Sequence, residues 1–224
     1  MTPNTTEAAQ ARMLIVRHGQ SIWNLHGRWQ GQADPPLSPE GEHQALDAAN
    51  CLFGTGIHRI FASDLQRARR TAEILAEHLG VATVTTDAGL RELDVGKWTG
   101  LTRDEIEHRW PGMLAARAQN RLLTPPGGET PRNLATRVSR AVNEIAATIL
   151  RETNANRTGE PLVAVLISHR GPISTLERSM GLQPTRAGHL AGHWFEVDAR
   201  LQIRHIAAAN LLQGPAYDDS PETL

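Results

Sequence analysis

The sequence has 224 residues, 40% of them hydrophobic, with 23 lysines and arginines against 24 acidic residues. This length is enough to bury one sizeable core. The near-zero net charge provides no global field that would attract nucleic acid or an anionic membrane. A single cysteine, Cys51, excludes an intrachain disulfide framework and a cysteine-rich metal site. Because the chain also lacks a signal-peptide pattern and a long apolar run, we expect a cytoplasmic protein.

Short apolar runs in the sequence predict the β-strands. The run at 162–167 is the clearest of them, because it lacks the polar alternation of a strand with one face in water. Residues 193–207 predict two further strands at the edge of the sheet. The four principal strand candidates are residues 13–16, 60–62, 83–86 and 162–167.

Capping residues and apolar spacing predict the helices between these strands. Ser38 before a proline predicts the start of a helix that runs to about residue 53. The sequence from Ser63 fits a capping box, followed by an apolar stripe that stops before Gly80. Thr102 begins a second capping box, and Thr130 precedes a long amphipathic helix.

This alternation predicts an α/β fold, a three-layer sandwich with a mostly parallel central sheet and helices on both faces. We expect one domain over residues 12–208, with a small helical cap insertion at about 100–130. Residues 1–11 and 210–224 are expected to be flexible tails. In such a sheet, ligands bind beyond the carboxyl ends of the strands.

Basic and imidazole side chains follow three of the predicted strands. Arg17 and His18 end the first strand, Arg67 lies in the helical turn after the second, and His169 follows the run at 162–167. Because these strand ends share one rim of the sheet, we expect the four side chains to converge. Two guanidinium groups and two imidazoles suit a phosphoryl group, and a neutral imidazole can form a phosphohistidine. The arginines are expected to lower the pKa of His18 and favour its neutral form.

The segment from Arg17 to Asn24, RHGQSIWN, resembles the R-H-G-x-[ST] signature of the histidine phosphatase superfamily, which includes the cofactor-dependent phosphoglycerate mutases. Further blocks follow in the order found in that family, at 36–41, 63–72, 90–92 with 96–100, and 168–169. The similarity runs from about residue 13 to 207. It implies that the signature histidine is phosphorylated in this chain too.

The resemblance also assigns roles to individual residues. It implies that His18 is the nucleophile, that Arg17 and Arg67 hold the phosphoryl group, and that His169 stabilises the transition state. Glu92 matches the general acid, which protonates the leaving alcohol and then deprotonates the attacking water. Positions that contact substrate or phosphate in the family correspond to Asn24, Ser21, Gln30 and Gly31. The implied reaction uses no metal or other cofactor, and its partner is a small phosphorylated molecule.

Two features depart from parts of the family. The residue after the late histidine is usually glycine, whereas here it is Arg170. A positive φ would strain an arginine there, while an ordinary helix start would leave its amide free for phosphate; Arg170 either contacts an anionic substrate or faces solvent. Val95 also fills a position where the mutases tend to have an aromatic residue, and the blocks at 96–100 and 125–130 resemble phosphatases.

We therefore predict a phosphatase of the histidine acid phosphatase type, a hydrolase of phosphoric monoesters. A phosphoglycerate mutase is the enzyme alternative, and a phospho-ligand binding module without turnover is the third hypothesis. The substrate stays open, and so does the oligomeric state, for which a homodimer is one alternative. The remaining histidines lack a ligand-like pattern and are interpreted as surface or core-edge residues: His26, His43, His58, His78, His108, His189, His193 and His205.

Overall fold

The computed structural model describes residues 10–119, 123–156 and 160–212. Within these ranges six strands form one sheet: β1 Ala11–Arg17, β2 Ile57–Ala62, β3 Val84–Thr86, β4 Leu162–Ser168, β5 Ala191–Val197 and β6 Ile203–Asn210. Their order across the sheet is β3-β2-β4-β1-β5-β6. The pairs from β3 to β1 are parallel, whereas β5 is antiparallel to both of its neighbours. The predicted α/β fold with a mostly parallel sheet is confirmed.

Seven α-helices accompany the sheet in the described ranges: α1 Ile22–Leu25, α2 Pro39–Leu52, α3 Gln66–Leu79, α4 Arg103–Arg109, α5 Met113–Gln119, α6 Pro131–Ala155 and α7 Arg170–Ser179. Two short 3-10 helices lie at Ala88–Leu90 and Gly96–Trp98. Ser38 caps α2, and the predicted capping box of Thr102 begins α4.

The sheet separates two hydrophobic clusters. Along β1, Met13 and Ile15 pack into one cluster, while Leu14 and Val16 pack into the other, as the alternation of side chains along a strand requires. Helices α6 and α7 contribute buried residues to the first cluster, and α2 and α3 contribute theirs to the second. Both faces of the central strands are therefore covered, which explains the continuous apolar run of β4.

The predicted capping box at Ser63 is wrong. Helix α3 begins at Gln66, with Leu65 in the N-cap position and no cap bond from its side chain. The hydroxyl of Ser63 instead accepts a hydrogen bond from the amide of Leu65 at 3.3 Å, within the turn after β2. The amide of Gln66 donates to Oδ1 of Asp34 at 2.5 Å, so a side chain from a distant loop caps this helix.

The predicted edge strands and tail boundaries also differ from the structure. Strand β5 is not an edge strand, because β1 and β6 pair on either side of it. The tail boundaries at residues 11 and 210 fall inside strands, since Ala11 is buried in β1 and Asn210 ends β6. Residues 1–9 and 213–224 of the predicted tails, and 120–122 of the predicted cap, lie outside the described residues. In the part that is described, no helix combines the length and apolar character needed to cross a bilayer.

Candidate active site

A cleft of about 630 Å³ lies beside the carboxyl ends of β1 and β4. Most of the predicted site residues meet in it, although they are far apart in the sequence. His169 has no exposed surface, and its ring lies 5.0 Å from that of His18. The predicted residues in the cleft wall are Arg17, His18, Asn24, Gln30, Gly31, Arg67, Glu92 and Arg170.

The neighbours of His18 determine which of its ring nitrogens carries the proton. Nδ1 lies 2.6 Å from the carbonyl oxygen of Gly19, so the proton is on Nδ1 and is donated to that oxygen. Nε2 accepts a hydrogen bond from Nε of Arg67 at 3.2 Å. Burial, followed by the charge of Arg67, holds the pKa of His18 well below its ordinary value of 6.5. The ring is therefore neutral at pH 7, with the Nε2 lone pair directed toward the arginine.

Arg67 is held rigidly beside this nitrogen. Its two terminal nitrogens donate to the carbonyl oxygens of Ala33 and Gly31, each at 2.8 Å. Burial lowers the pKa of Arg67 to about 10, against the opposing charge of Glu92, so the guanidinium stays charged at neutral pH. A fixed positive charge therefore lies where a phosphoryl group bonded to Nε2 of His18 would be.

His169 lies behind the pocket with both ring nitrogens buried. Neither nitrogen has a hydrogen-bond partner among the described residues. Burial, followed by the charges of Arg67 and Arg17, lowers the pKa of His169 well below 6.5. Buried polar atoms without partners are costly and rare. An oxyanion next to His18 would give His169 the acceptor that it lacks.

Glu92 rests against the first turn of α7. Its Oε1 accepts hydrogen bonds from the amides of Leu93 at 2.7 Å and Gly171 at 3.1 Å. A Cβ atom at residue 171 would lie 2.1 Å from that oxygen, so glycine is needed here for the carboxylate to approach the helix. The carboxylate is thereby fixed in the cleft wall, where it can exchange a proton with a ligand.

Arg137 of α6 supports the segment that carries Glu92, although the sequence analysis did not identify it. Its guanidinium donates to the carbonyl oxygens of Gly89, Arg91 and Glu92 at 3.0, 2.6 and 2.7 Å. It also forms an ion pair with Glu129 at 2.7 Å. Nothing in the sequence distinguishes Arg137 from the other polar residues of an amphipathic helix, since three of its partners are backbone oxygens and the fourth, Glu129, is one of many acidic side chains.

Ser21 is fully buried and does not line the cleft. Its hydroxyl donates to Oε1 of Gln30 at 2.7 Å and accepts from the amide of Asn24 at 3.1 Å. Ser21 is therefore placed to orient Gln30 and Asn24 of the cleft wall, and not to contact a ligand as predicted. His189 also belongs to this group, because its ring lies 6.1 Å from that of His18 and its Nε2 is 3.4 Å from Oδ1 of Asn24.

Arg170 begins α7 in an ordinary helical conformation. The described non-glycine residues with positive φ are Leu190 and Leu201. Arg170 is not one of them, so its backbone is not strained in the way that a positive φ would cause. A terminal nitrogen of Arg170 donates to the carbonyl oxygen of Ala187 at 3.4 Å, and Arg17 donates to the same oxygen at 3.3 Å. Arg170 therefore stands next to Arg17 in the cleft wall.

Two other histidines, the buried His193 and the partly buried His205, form a hydrogen-bonded chain away from the pocket. Nε2 of His193 lies 2.7 Å from Oε1 of Glu177, and Nδ1 lies 3.0 Å from Nε2 of His205. The same Oε1 accepts the backbone amide of Thr185 at 3.0 Å, which ties the loop after α7 to the sheet. Across residues 10–119, 123–156 and 160–212, no group of three or more ligating side chains is arranged to hold a metal ion.

Comparison with known proteins gives consistent matches. The model of the histidine phosphatase superfamily (branch 1) matches residues 13–197. The chain is 34% identical over 195 residues to glucosyl-3-phosphoglycerate phosphatase of Mycobacterium tuberculosis, which covers 82% of this chain and 86% of that protein. It is 39% identical over 134 residues to the probable phosphoglycerate mutase GpmB of Salmonella paratyphi B, covering 58% of this chain and 61% of that protein.

Solved structures show the same likeness. The mycobacterial glucosyl-3-phosphoglycerate phosphatase in complex with inorganic phosphate superposes with a TM-score of 0.71 at 31% identity, covering 88% of this chain and 96% of that chain. A phosphoglycerate mutase from Bacillus anthracis superposes with a TM-score of 0.74 at 19% identity, a likeness of fold alone. All residues of the cleft wall described above lie within the matched range.

Proposed function

Since the chain belongs to the histidine phosphatase superfamily and is a phosphatase hydrolase, we propose that it hydrolyses small phosphate monoesters through a phosphohistidine on Nε2 of His18. One observation carries the proposal. A neutral histidine, His18, whose Nε2 accepts a hydrogen bond from the fixed guanidinium of Arg67, lies beside a second histidine, His169, whose two ring nitrogens have no hydrogen-bond partner among the described residues. This arrangement supports covalent capture of a phosphoryl group.

In the first step, Nε2 of His18 attacks phosphorus, and the bond from phosphorus to the alcohol oxygen breaks. Arg67 exchanges its hydrogen bond to Nε2 for one to a phosphoryl oxygen. Arg17, Arg67 and His169 meet the charge on the equatorial oxygens, as preorganised donors do in other phosphoryl-transfer sites. Protonated Glu92 gives its proton to the leaving alcohol.

In the second step, water attacks the phosphohistidine. Glu92, now a carboxylate, takes a proton from that water as it attacks. The phosphorus–nitrogen bond breaks, its electron pair returns to Nε2 of His18, and inorganic phosphate leaves. The hydrogen bond from Nδ1 to Gly19 keeps the ring in the same tautomer through both steps.

The mutase alternative differs only in the acceptor, which is a second hydroxyl in place of water. The 39% sequence identity with the probable phosphoglycerate mutase is a reason to test for mutase activity. The mycobacterial relatives make a phosphoglycerate ester a reasonable member of the first substrate panel. The single domain over 12–208, the role of the 100–130 segment as a cap, the cytoplasmic location and a homodimer remain predictions.

Trapping and turnover together test the proposal. The protein is mixed with p-nitrophenyl phosphate, sugar phosphates and 3-phosphoglycerate, quenched, and assayed for acid-labile, base-stable phosphate on His18. We expect that adduct and release of inorganic phosphate, both lost in His18→Asn. Turnover that persists in His18→Asn contradicts the proposal. Faster formation of 2-phosphoglycerate than of inorganic phosphate supports the mutase, and binding without an adduct supports the module without turnover.

A further inference from the structure

Thr71 is a buried polar residue next to the phosphoryl pocket, the part of the cleft that contains His18 and Arg67. It lies on α3 one turn after Arg67, has no exposed surface, and is not among the residues that line the cleft. Its hydroxyl donates to the carbonyl oxygen of Arg67 at 2.7 Å and accepts the amide of Gly19 at 3.1 Å. Because a hydroxyl has one proton and two lone pairs, it can make both bonds at once. Thr71 therefore joins α3 to the segment that follows β1.

Thr153 of α6 makes the same pair of bonds in another part of the molecule. Its hydroxyl donates to the carbonyl oxygen of Ile149 at 2.9 Å and accepts the amide of Leu162 at 3.3 Å, at the start of β4. Threonine hydroxyls in helices often bond to the carbonyl oxygen four residues earlier. The pattern alone is thus a structural one, and Thr71 differs from Thr153 in the residue whose amide it holds.

Gly19 is the residue that keeps the proton on Nδ1 of His18. Its carbonyl oxygen accepts that proton at 2.6 Å. A Cβ atom at residue 19 would lie 2.5 Å from a backbone oxygen of α2, so glycine is needed there. Since glycine is the residue with the greatest conformational freedom, the direction of this carbonyl depends on the bonds of the amides beside it. Thr71 holds the amide of Gly19, and Gln44 of α2 holds that of Gln20 at 2.9 Å.

Four hydrogen bonds close a ring through the nucleophile. The donors, in order, are Nδ1 of His18, the Gly19 amide, the Thr71 hydroxyl and Nε of Arg67, which returns to Nε2 of His18. The Thr71 hydroxyl contacts both halves of this ring. One half retains the Nδ1 proton, and the other is the helical turn that places the guanidinium beside Nε2. Buried hydrogen bonds that are connected in this way strengthen one another.

From this ring we infer that Thr71 is a positioning residue for the nucleophile. Its hydroxyl fixes Gly19, so that Nδ1 of His18 keeps its proton and Nε2 presents its lone pair to phosphorus. The inference rests on the proposed function, because it assigns a support to the nucleophile named there. Thr71 does not line the cleft, so its loss should slow capture of the phosphoryl group more than it weakens binding of the ester.

Substitutions that separate the hydroxyl from the shape of the side chain test the inference. Thr71→Val keeps the branched shape and removes both bonds, whereas Thr71→Ser keeps the hydroxyl. For p-nitrophenyl phosphate we expect kcat to fall roughly tenfold in Thr71→Val, with KM changed by less than about twofold. Thr71→Ser should stay close to the native kcat. Thr71→Ala is a second deletion, which serves if a valine methyl group against the Gly19 amide prevents folding.

The matched control is Thr153→Val, which removes the same pair of bonds away from the pocket. It should leave kcat unchanged, and thermal unfolding of all the variants shows how far each loss of bonds lowers stability. Equal changes of kcat in Thr71→Val and Thr153→Val overturn the inference, because they show that Thr71 acts only through the stability of the fold.

The ring proton of His18 reports positioning without turnover. NMR spectra are recorded with ring-labelled histidine, and the His18 signal is identified by its absence in His18→Asn. We expect a proton on Nδ1 in the native chain, Thr71→Ser and Thr153→Val, and faster exchange of that proton with water in Thr71→Val. This result would support the inference even if no ester were hydrolysed, which separates it from the proposed function. The same exchange rate in the native chain and Thr71→Val overturns it.

Discussion

The phosphoryl pocket and the outer cleft are built in different ways. In the pocket, His18, Arg67 and Glu92 are each held by at least two hydrogen bonds, mostly to backbone atoms at strand and helix ends. The outer cleft is the part of the cleft wall that includes Arg178 and Arg186, which occupy exposed positions of α7 and of the loop that follows it. The pocket therefore fits one group of fixed geometry. We expect the first region to determine the reaction, and the second to contribute to the choice of substrate.

The largest expected effect is the loss of His18. His18→Ala should lower kcat by roughly a factor of 10⁴ or more for every ester, as removal of a covalent nucleophile does in other enzymes. Sugar phosphates and 3-phosphoglycerate should lose a similar factor, because the pocket acts on the phosphoryl group alone. Initial rates and thermal unfolding check this together. A variant that folds normally and keeps more than a few per cent of the activity would break the assignment of the nucleophile.

Removal of the proton donor should have a large effect that depends on the leaving group. Glu92→Gln should lower kcat for sugar phosphates by roughly 10²- to 10⁴-fold. The loss should be smaller for p-nitrophenyl phosphate, since p-nitrophenolate leaves without needing a proton. Steady-state rates with the two kinds of ester measure the difference. Equal losses for both would mean that Glu92 acts only through binding or charge.

Gly171 offers a way to move Glu92 without altering it. Gly171→Ala should displace the carboxylate, because the new Cβ would lie 2.1 Å from Oε1 of Glu92. The side chain can swing away at little cost in stability, so we expect kcat for sugar phosphates to fall on the order of tenfold with nearly unchanged thermal unfolding.

A double-mutant cycle separates this route from general damage. Glu92→Gln with Gly171→Ala should be no slower than Glu92→Gln alone, since the carboxylate is already lost. Additive losses would show that Gly171→Ala disturbs the pocket in another way, for example by shifting the start of α7. The pocket would then depend on the position of α7 as well as on the Glu92 carboxylate.

The two regions also differ in how far the sequence predicts them. Arg17, His18 and His169 follow apolar runs that end at one rim of a parallel sheet, so strand patterns and one motif bring them together. Arg137 could not be found in this way, because it acts on the segment that carries Glu92 through backbone oxygens, which leave no pattern in the sequence. Ser63 was assigned a cap that Asp34 provides from across a loop. Local patterns predict elements and strand ends, but contacts between distant segments depend on packing.

Glu177 tests whether the outer cleft depends on its buried support. Glu177→Gln should lower the free energy of unfolding by about 1–3 kcal/mol, because it removes the charge that accepts hydrogen bonds from His193 and Thr185 and buries an amide donor. KM should rise more than kcat falls, since Thr185 and Arg186 line the cleft and their loop loses its hydrogen bond to Glu177. Chemical denaturation and kinetics measure the two effects. A fall in kcat with unchanged KM would place Glu177 in support of the pocket instead.

The smallest expected effect is on stability in acid. Burial and the charge of Arg67 lower the pKa values of His18 and His169 below 6.5 in the folded protein. The unfolded chain therefore binds protons first as the pH falls below 6.5, so stability falls with it, and above that pH these groups contribute no dependence. In His18→Asn one such group is absent, and Tm should drop less between pH 7.5 and pH 5.5 than in the native chain. Equal drops in Tm would mean that His18 is protonated as readily in the folded protein as in the unfolded chain. Water would then reach the His18 ring, contrary to its burial in the pocket.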